Sequence, residues 1–413
     1  MSTGAPLRST PRILGTVLLP FALAHFISYL YRSVNAVVYP DLVRELGLNA
    51  NTLGLLTSAY FIAFAVAQLP VGVALDRFGP RRVQMPMLTI ATGGALLFAS
   101  ADSLGGLLLG RALIGFGVAA SLMSAIKAST LWLPPQRLPL VTSVLLAVGG
   151  VGAVVSTAPM QALLEVASWR TAFLLLAAAT IGIAALIGLA VPEQPTRGTP
   201  PPLADMVRAI GQLYRAPSFW RQSLITLFCN AAYMAIQGLW LGPWLRDVAQ
   251  LSRPDTAQVL LWGTVAMVAG SLSFGWAADR LQALGVRPML LCGAGLLVFV
   301  TCEALMAAGV VAAPLALVLA FSFFGSSGAL NYAIIAQSVP AHLTGRVSTC
   351  FNLLIFLASF AVQWGMGAII GLWAPLDGQY PVQAYRAALL LVVALQTPGI
   401  VLWLLERPWT RAT

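Results

Sequence analysis

Apolar residues in this chain come in long blocks separated by short polar segments. Twelve blocks of roughly 20 residues or more stand out, each enough to cross about 30 Å of hydrocarbon as a helix. They lie at 13–38, 52–75, 83–101, 104–132, 138–162, 168–191, 219–245, 256–278, 288–309, 313–335, 346–372 and 383–404. The ninth and tenth nearly touch, at Ala312-Ala313-Pro314. The pattern predicts an all-α integral membrane protein with twelve transmembrane helices. Composition strengthens this: 59% of the 413 residues are hydrophobic and 9% are charged. A soluble domain carries roughly 25% charged residues, so most of this surface must face lipid. The first block is long enough to span and stay, unlike a cleaved signal peptide.

The net charge is +10, but the basic residues do not cluster with interleaved aromatics as in a nucleic-acid surface. They occupy the short loops. With the N-terminus inside, 15 arginines fall on the cytoplasmic side and five on the other. The positive-inside rule therefore predicts that both termini are cytoplasmic, in a bacterial inner membrane.

The long loop at 192–218 is rich in Pro, Thr and Gly and then turns amphipathic over Ala204–Tyr214. It is the expected linker between a six-helix bundle at 1–191 and another at 219–413. A repeat supports that division. Gly72-Val-Ala-Leu-Asp76-Arg77-Phe-Gly79-Pro-Arg81-Arg82 follows one apolar block, and Gly275-Trp-Ala-Ala-Asp279-Arg280 follows another 203 positions later. Such duplication marks two pseudo-symmetric bundles.

Cys229, Cys292, Cys302 and Cys350 all fall in apolar blocks without metal-ligand spacing. They read as packing residues. No HExxH, GxSxG or Walker A motif is present, so no enzyme, metal site, cofactor or built-in ATPase is expected.

The Gly72–Arg82 segment resembles the signature loop between helices 2 and 3 of the major facilitator superfamily. Twelve blocks, the mid-chain linker and the degenerate second copy agree with that over essentially the whole chain. Tyr29-x-Tyr31-Arg32, Gly110-Arg111-x-x-x-Gly115-x-Gly117 and Leu131-Trp132-Leu133-Pro134-Pro135-x-Arg137 are similar to the organic-anion branch, the anion:cation symporters and organophosphate antiporters. The resemblance implies a central cavity, alternating access, and gating by Gly72, Asp76, Arg77, Gly79 and Arg81, with Asp279 and Arg280 as a second, less complete set. Two departures stand out. The symporters often carry an Asp before the Arg of span 1 and a Glu seven residues after the Arg of span 4. Here those positions are Tyr31 and Val118.

Charges inside the apolar blocks are costly and point to function. Arg32 and Arg111 both lie roughly 10–12 Å from the outer ends of their helices. Spans 1 and 4 line the cavity in the resembled fold, so a carboxylate or phosphate site is expected between the two guanidinium groups. Lys127 is the chain's lone lysine, near the inner end of span 4; it is read as a snorkelling residue or an inner-vestibule charge. His25, on the face of Tyr29 and Arg32, and Glu303 in span 9 are candidates for proton coupling, with a structural role as the other reading.

Asn230, Tyr233, Gln237, Trp240 and Trp244 recur at helical spacing in span 7, a stripe suited to neutral ligand contacts. Tyr60, Gln68, Asn331, Tyr332, Asn352 and Gln363 are further candidates. The reading is a monomeric secondary transporter of a small organic anion, working as uptake, with a proton as the candidate coupling ion. Its alternatives are efflux of amphipathic compounds, based on the aromatic stripe, and a non-transporting membrane sensor.

Overall fold

The computed structural model describes residues 14–134, 137–193, 208, 211–337, 344–376 and 378–405. Among these the chain is helical almost throughout, and its β pairing is one isolated bridge between Leu376 and Gln379. We number the spans α1 to α12. Helix α1 is a bent pair, Gly15–Ser33 and Asn35–Leu46, with 46° between its parts. The next helical run, Ala50–Ser100, has 51 residues and would be about 75 Å long if straight, more than twice the hydrocarbon thickness. It breaks at Gly79, where φ is 79° and ψ is 166°. A positive φ of this kind suits glycine, which has no Cβ to clash. The run thus supplies α2 (50–78) and α3 (80–100).

The remaining spans are α4 Leu104–Trp132, α5 Val144–Val166, α6 Trp169–Ala190, α7 Pro217–Asp247, α8 Arg253–Ala283, α9 Pro288–Ala307, α10 Pro314–Tyr332, α11 Thr349–Ile370 and α12 Val382–Leu405. The total of twelve matches the apolar blocks. Large apolar side chains such as Leu189, Leu272 and Trp276 stay exposed on the outer surface, as lipid contact requires.

Helices α2, α4, α6 and α8 all start on the face opposite the 72–82 loop. Each start is capped by a side-chain oxygen, from Asn49, Ser103, Ser168 and Ser252 respectively. These caps satisfy backbone N–H groups that the helix leaves free. The first apolar block ends at residue 38, but α1 runs on to Leu46 and stops at Gly47, whose φ is 62°. Pro40 lies inside this extension. Asp41 and Arg44, which the apolar pattern assigns to a loop, are therefore helical residues. Most of the 192–218 segment lies outside the described residues. Its end, 211–215, is helical and packs on the second bundle, where the Tyr214 hydroxyl donates to the Cys350 carbonyl at 3.0 Å. Burial raises the Tyr214 pKa above the usual phenol range.

Small residues set the close contacts, as is usual where helices pack in lipid. Gly94, Gly110 and Gly117 lock α3 to α4; a Cβ at Gly117 would meet the backbone of Met87 and Ala91. The seam between the bundles uses the same device. Gly242 of α7 lies on the Ala36 carbonyl of α1, Gly150 of α5 on Val268 of α8, and Gly54 of α2 on Gly367 of α11.

These contacts predict that Gly117→Val overpacks the α3–α4 interface, at a cost of about 1–3 kcal/mol. Fluorescence-detected size-exclusion should show less monodisperse protein and a lower thermal midpoint. Gly182→Ala, on a helix face with open space around it, is the control and should show no loss.

Candidate functional site

Helix α1 presents His25, Tyr29 and Arg32 at spacings of four and three, on one face. Where α1 meets the seam, Arg32 is enclosed by aromatic rings. Its guanidinium carbon lies 4.6 Å from the centroid of Tyr29, 5.5 Å from Phe64 of α2 and 5.2 Å from Phe356 of α11. Phe64 and Phe356 stack across the seam at 4.2 Å. Ring faces are electron-rich and stabilise a cation without neutralising it. The Arg32 Nε is buried and has no hydrogen-bond partner. Its electrostatic neighbours are Tyr29, Tyr60 and Tyr332, with no carboxylate among them.

Arg111 of α4 shares one of these neighbours. Its guanidinium carbon is 5.2 Å from the Tyr60 ring centroid, and its Nε and Nη1 have no partner. It is 1% exposed; the neutral phenols of Tyr31 and Tyr60, both of the first bundle, are its neighbours. Both arginines thus meet at Tyr60, whose hydroxyl donates to the Ser28 carbonyl at 3.3 Å. Arg32 reaches the seam, while Arg111 is packed inside the first bundle.

From the second bundle, Tyr332 of α10 donates to Asn352 of α11 at 2.7 Å, and Asn352 donates to Gln68 of α2 at 3.2 Å. This polar chain crosses the seam beside the Arg32 cluster. Tyr233 packs its ring against Phe299 and Phe321, with centroids 5.9 and 5.6 Å away. Its hydroxyl and the Gln237 Oε1 are buried without a well-formed hydrogen bond. Asn230 instead braces α7 by donating to the Thr226 carbonyl at 3.0 Å and facing Gly328. Asn331 does similarly, donating to Thr226 Oγ1 at 2.5 Å. The α7 stripe is therefore divided. Trp240 and Trp244 are 2% and 1% exposed, and the Trp240 indole donates to the Gln363 carbonyl at 2.9 Å.

His25 lies edge-on to Tyr29 at 5.0 Å, and neither ring nitrogen has a partner. Glu303 of α9 is fully buried; Gln396 of α12 donates to its Oε2, while Oε1 has no partner. Its contacts lie within the second bundle.

At the 72–82 loop, the Lys127 ammonium meets Asp76 at 2.7 Å. The sequence alone reads Asp76 as a gating residue without a named partner, and Lys127 as a residue of the headgroups or an inner vestibule. Arg82 grips Glu193 with two bonds of 3.0 and 2.8 Å. That hydrogen bonding holds the Glu193 carboxyl below the usual carboxylate range. Arg81 donates to the Gly188 carbonyl at 2.5 Å. Arg77 is exposed over Phe78, and no side chain packs on Gly72. These ion pairs join the first bundle to itself and to the start of the linker, and do not reach the second bundle. In the second copy Arg280 covers Trp276, and Asp279 is exposed with no ion pair among the described residues.

On the opposite face the bundles are joined directly. Arg253 of α8 makes two bonds to the Asp41 carboxylate of α1, one of them 3.0 Å, and its Nε donates to Gln161 of α5 at 2.9 Å. The Tyr380 hydroxyl accepts from the Ala50 N–H at 2.9 Å, and the Trp364 indole donates to Asn51 at 3.0 Å. None of Asp41, Arg253 or Gln161 stands out in the sequence. Their one signal is a charge at each of two predicted helix ends.

Two six-helix bundles around a seam with a buried cationic centre define a multi-pass membrane protein. The sequence profile of the Major Facilitator Superfamily matches residues 21–363. The chain belongs to that superfamily. It is 25% identical over 272 residues to a probable sulfoacetate transporter of Cupriavidus necator, spanning 63% of each chain. That is slightly less than two thirds of the relative's length. It is 27% identical over 364 residues to a hexuronate transporter of Bacillus subtilis, covering 84% of each. A solved bacterial homologue of the human lysosomal transporter Spinster, inward-facing and unoccupied, shares the fold with a TM-score of 0.77 at 17% identity, over 98% of this chain and 99% of that one.

The Asp76–Lys127 pair is partly exposed, 40% and 33% by side chain, so it should contribute about 0.2–1 kcal/mol. Asp76→Asn and Lys127→Gln should each lower the thermal midpoint in detergent, and the double variant should be no worse than either. Additive losses would show that the two charges do not act as a pair.

Proposed function

We propose that the chain is a secondary transporter that takes up a small carboxylate-type organic anion by alternating access. The observation that carries this reading is the Arg32 centre. A cation is held at the seam by three rings, with a free donor and no internal carboxylate. An uncompensated buried charge is expensive, and a guanidinium fork matches a carboxylate in shape and charge. A substrate anion completes the centre. Arg111 supports it from behind through Tyr60. Tyr29, Tyr233, Gln237 and the Tyr332–Asn352–Gln68 chain offer hydroxyl and amide contacts to the rest of the molecule. The two relatives carry sulfoacetate and hexuronate in their names, and both are organic acids.

In this reading the bundles are 1–191 and 219–413, joined by 192–218. Both termini and the 72–82 loop face the cytoplasm of a bacterial inner membrane, and the monomer is the working unit. The Asp41–Arg253 face is then external and closed. Reopening it breaks Asp41–Arg253, Ala50–Tyr380 and Asn51–Trp364, while Asp76–Lys127 holds the first bundle rigid. The carboxylates common in the symporters are replaced by Tyr31 and Val118. His25 is the titratable group next to the Arg32 cluster, so a proton moving with the anion would use a different carrier from theirs. Efflux of an amphipathic compound has less support, because two members of the aromatic stripe it relies on, Trp240 and Trp244, are buried in the outer closure.

The test is uptake of labelled glucuronate and sulfoacetate into proteoliposomes. Arg32→Gln should lower kcat/KM by at least about 30-fold, equivalent to about 2 kcal/mol, while purified yield and thermal midpoint stay near wild type. Wild-type uptake by that variant would sink the reading. Arg32→Lys should not restore uptake, since an ammonium lacks the planar fork.

A further inference from the structure

A pocket of about 440 Å³, open to solvent on one side, lies at the closed face between the bundles. Its walls include Tyr39, Asp41 and Arg44 of α1, Arg246 and Asp247 of α7, and Arg253 of α8. Trp240 also lines it. That residue is three positions along α7 from Gln237, roughly 5 Å of helical rise. The buried indole of Trp240 thus forms part of the wall on the side towards Gln237.

The charges in this space do not cancel. Among its described lining residues are three arginines and two aspartates. Both carboxylates are already engaged. Asp41 takes two bonds from Arg253 and one from Arg44 at 3.3 Å. Asp247 accepts from the Tyr380 N–H at 3.1 Å and the Tyr385 hydroxyl at 2.6 Å. Among the described residues Arg246 hydrogen-bonds to neither carboxylate; its guanidinium carbon lies 5.9 Å from the Tyr39 ring centroid. Tyr39 is 8% exposed, and its hydroxyl has no well-formed hydrogen bond. Arg246 and Arg253 are the cations beside that hydroxyl.

A buried hydroxyl and a guanidinium that hydrogen-bonds neither carboxylate, with Asp247 as its acidic neighbour, thus face one cavity. Low-dielectric walls focus the field of the excess cation onto any anion inside. Ligand sites for small molecules run from about 300 to 1,000 Å³, so the space holds a small organic acid.

We propose that this vestibule is a second anion site, which takes a carboxylate between Arg246 and the Tyr39 hydroxyl while the outer latch is shut. It rests on the organic-anion reading, because its ligand is the same class of molecule. When Asp41–Arg253 opens and Trp240 moves with α7, the anion bound here is the one nearest Arg32. The vestibule is therefore a loading site, and its occupancy raises the local substrate concentration at the gate.

Calorimetric titration of the purified protein in nanodiscs with glucuronate tests this. Wild type should show two sites per chain. Arg246→Gln should remove one of them and leave the other, and Arg32→Gln should do the reverse. Tyr39→Phe removes a single hydroxyl and keeps the ring; it should weaken the Arg246-dependent site by about tenfold, and it decides the matter if Arg246→Gln fails to fold. One site, lost in Arg32→Gln and unchanged in Tyr39→Phe and Arg246→Gln, would overturn the vestibule and leave the central reading intact. A vestibule heat produced by chloride and not displaced by glucuronate would also overturn it. No heat with either glucuronate or sulfoacetate would overturn both readings.

Discussion

Every charge in a membrane protein must find a partner or reach water, and this molecule meets that demand almost everywhere at its two faces. Asp76 finds Lys127, Arg82 finds Glu193, Arg170 finds Glu45 and Asp102, and Arg253 finds Asp41. Glu303 is buried with only an amide partner, and Arg32 and Arg111 are held deep in the helices without a carboxylate. Rings replace the acid at both. Cation–π contact offsets part of the desolvation cost, yet it leaves the Arg32 Nε and the Arg111 Nε and Nη1 without hydrogen-bond partners. An arginine already matched to an aspartate would have its charge compensated and offer a ligand anion less. The aromatic enclosure is thus what allows a cation to be both buried and available.

The two faces use charge in different ways. At the 72–82 loop Asp76–Lys127 braces α2 to α4, and Arg82–Glu193 ties α3 to the start of the linker just past α6. At the opposite face Asp41, Arg253 and Gln161 tie one bundle to the other. Bonds within a bundle survive a rigid-body motion, and bonds across the seam do not. The geometry therefore separates parts that must stay together from parts that must part. The seam supports the same division. Its glycines, Gly54, Gly150, Gly242 and Gly367, bring backbones close without interlocking large side chains, which suits a surface that has to separate and re-form.

The spans are legible because lipid imposes a length and a composition on each helix, and both are written locally. Gly79 is legible for a similar reason, since a sharp break inside a continuous helical run needs a residue without Cβ. What escapes is relational. Asp76 and Lys127 are 51 positions apart, and nothing in either neighbourhood marks the other. Equal depth places Arg32 and Arg111 at one level, and they do share Tyr60; helix rotation turns one to the seam and the other inward. The α7 stripe assumes a constant period. The backbone instead forms a π turn over Ile236–Trp240, which inserts about one residue and swings the rest of the helix by roughly 100°. Trp240 and Trp244 leave the ligand face for that reason. The end of α1 escapes because Pro40, Asp41 and Arg44 look like a loop until Arg253 is placed against them.

The two positions where the organic-anion branch often has carboxylates are packing positions here. Tyr31 is fully buried and bonds its hydroxyl to Thr180 of α6 at 3.1 Å. Val118 is 1% exposed and belongs to the main core. Both point into the packing of the first bundle, away from the seam where Arg32 meets Phe356. An acid at position 31 would lie near Arg111 and would quench it, since Tyr31 is already a neighbour of that guanidinium. Replacing the acid with a phenol tied to α6 keeps Arg111 positive and leaves Tyr60 between two cations. The absence of carboxylates at 31 and 118 and the lack of an acid beside Arg32 and Arg111 thus go together. Two cations thus share one aromatic-lined level of the molecule, Arg32 at the seam and Arg111 behind it, with Tyr60 common to both.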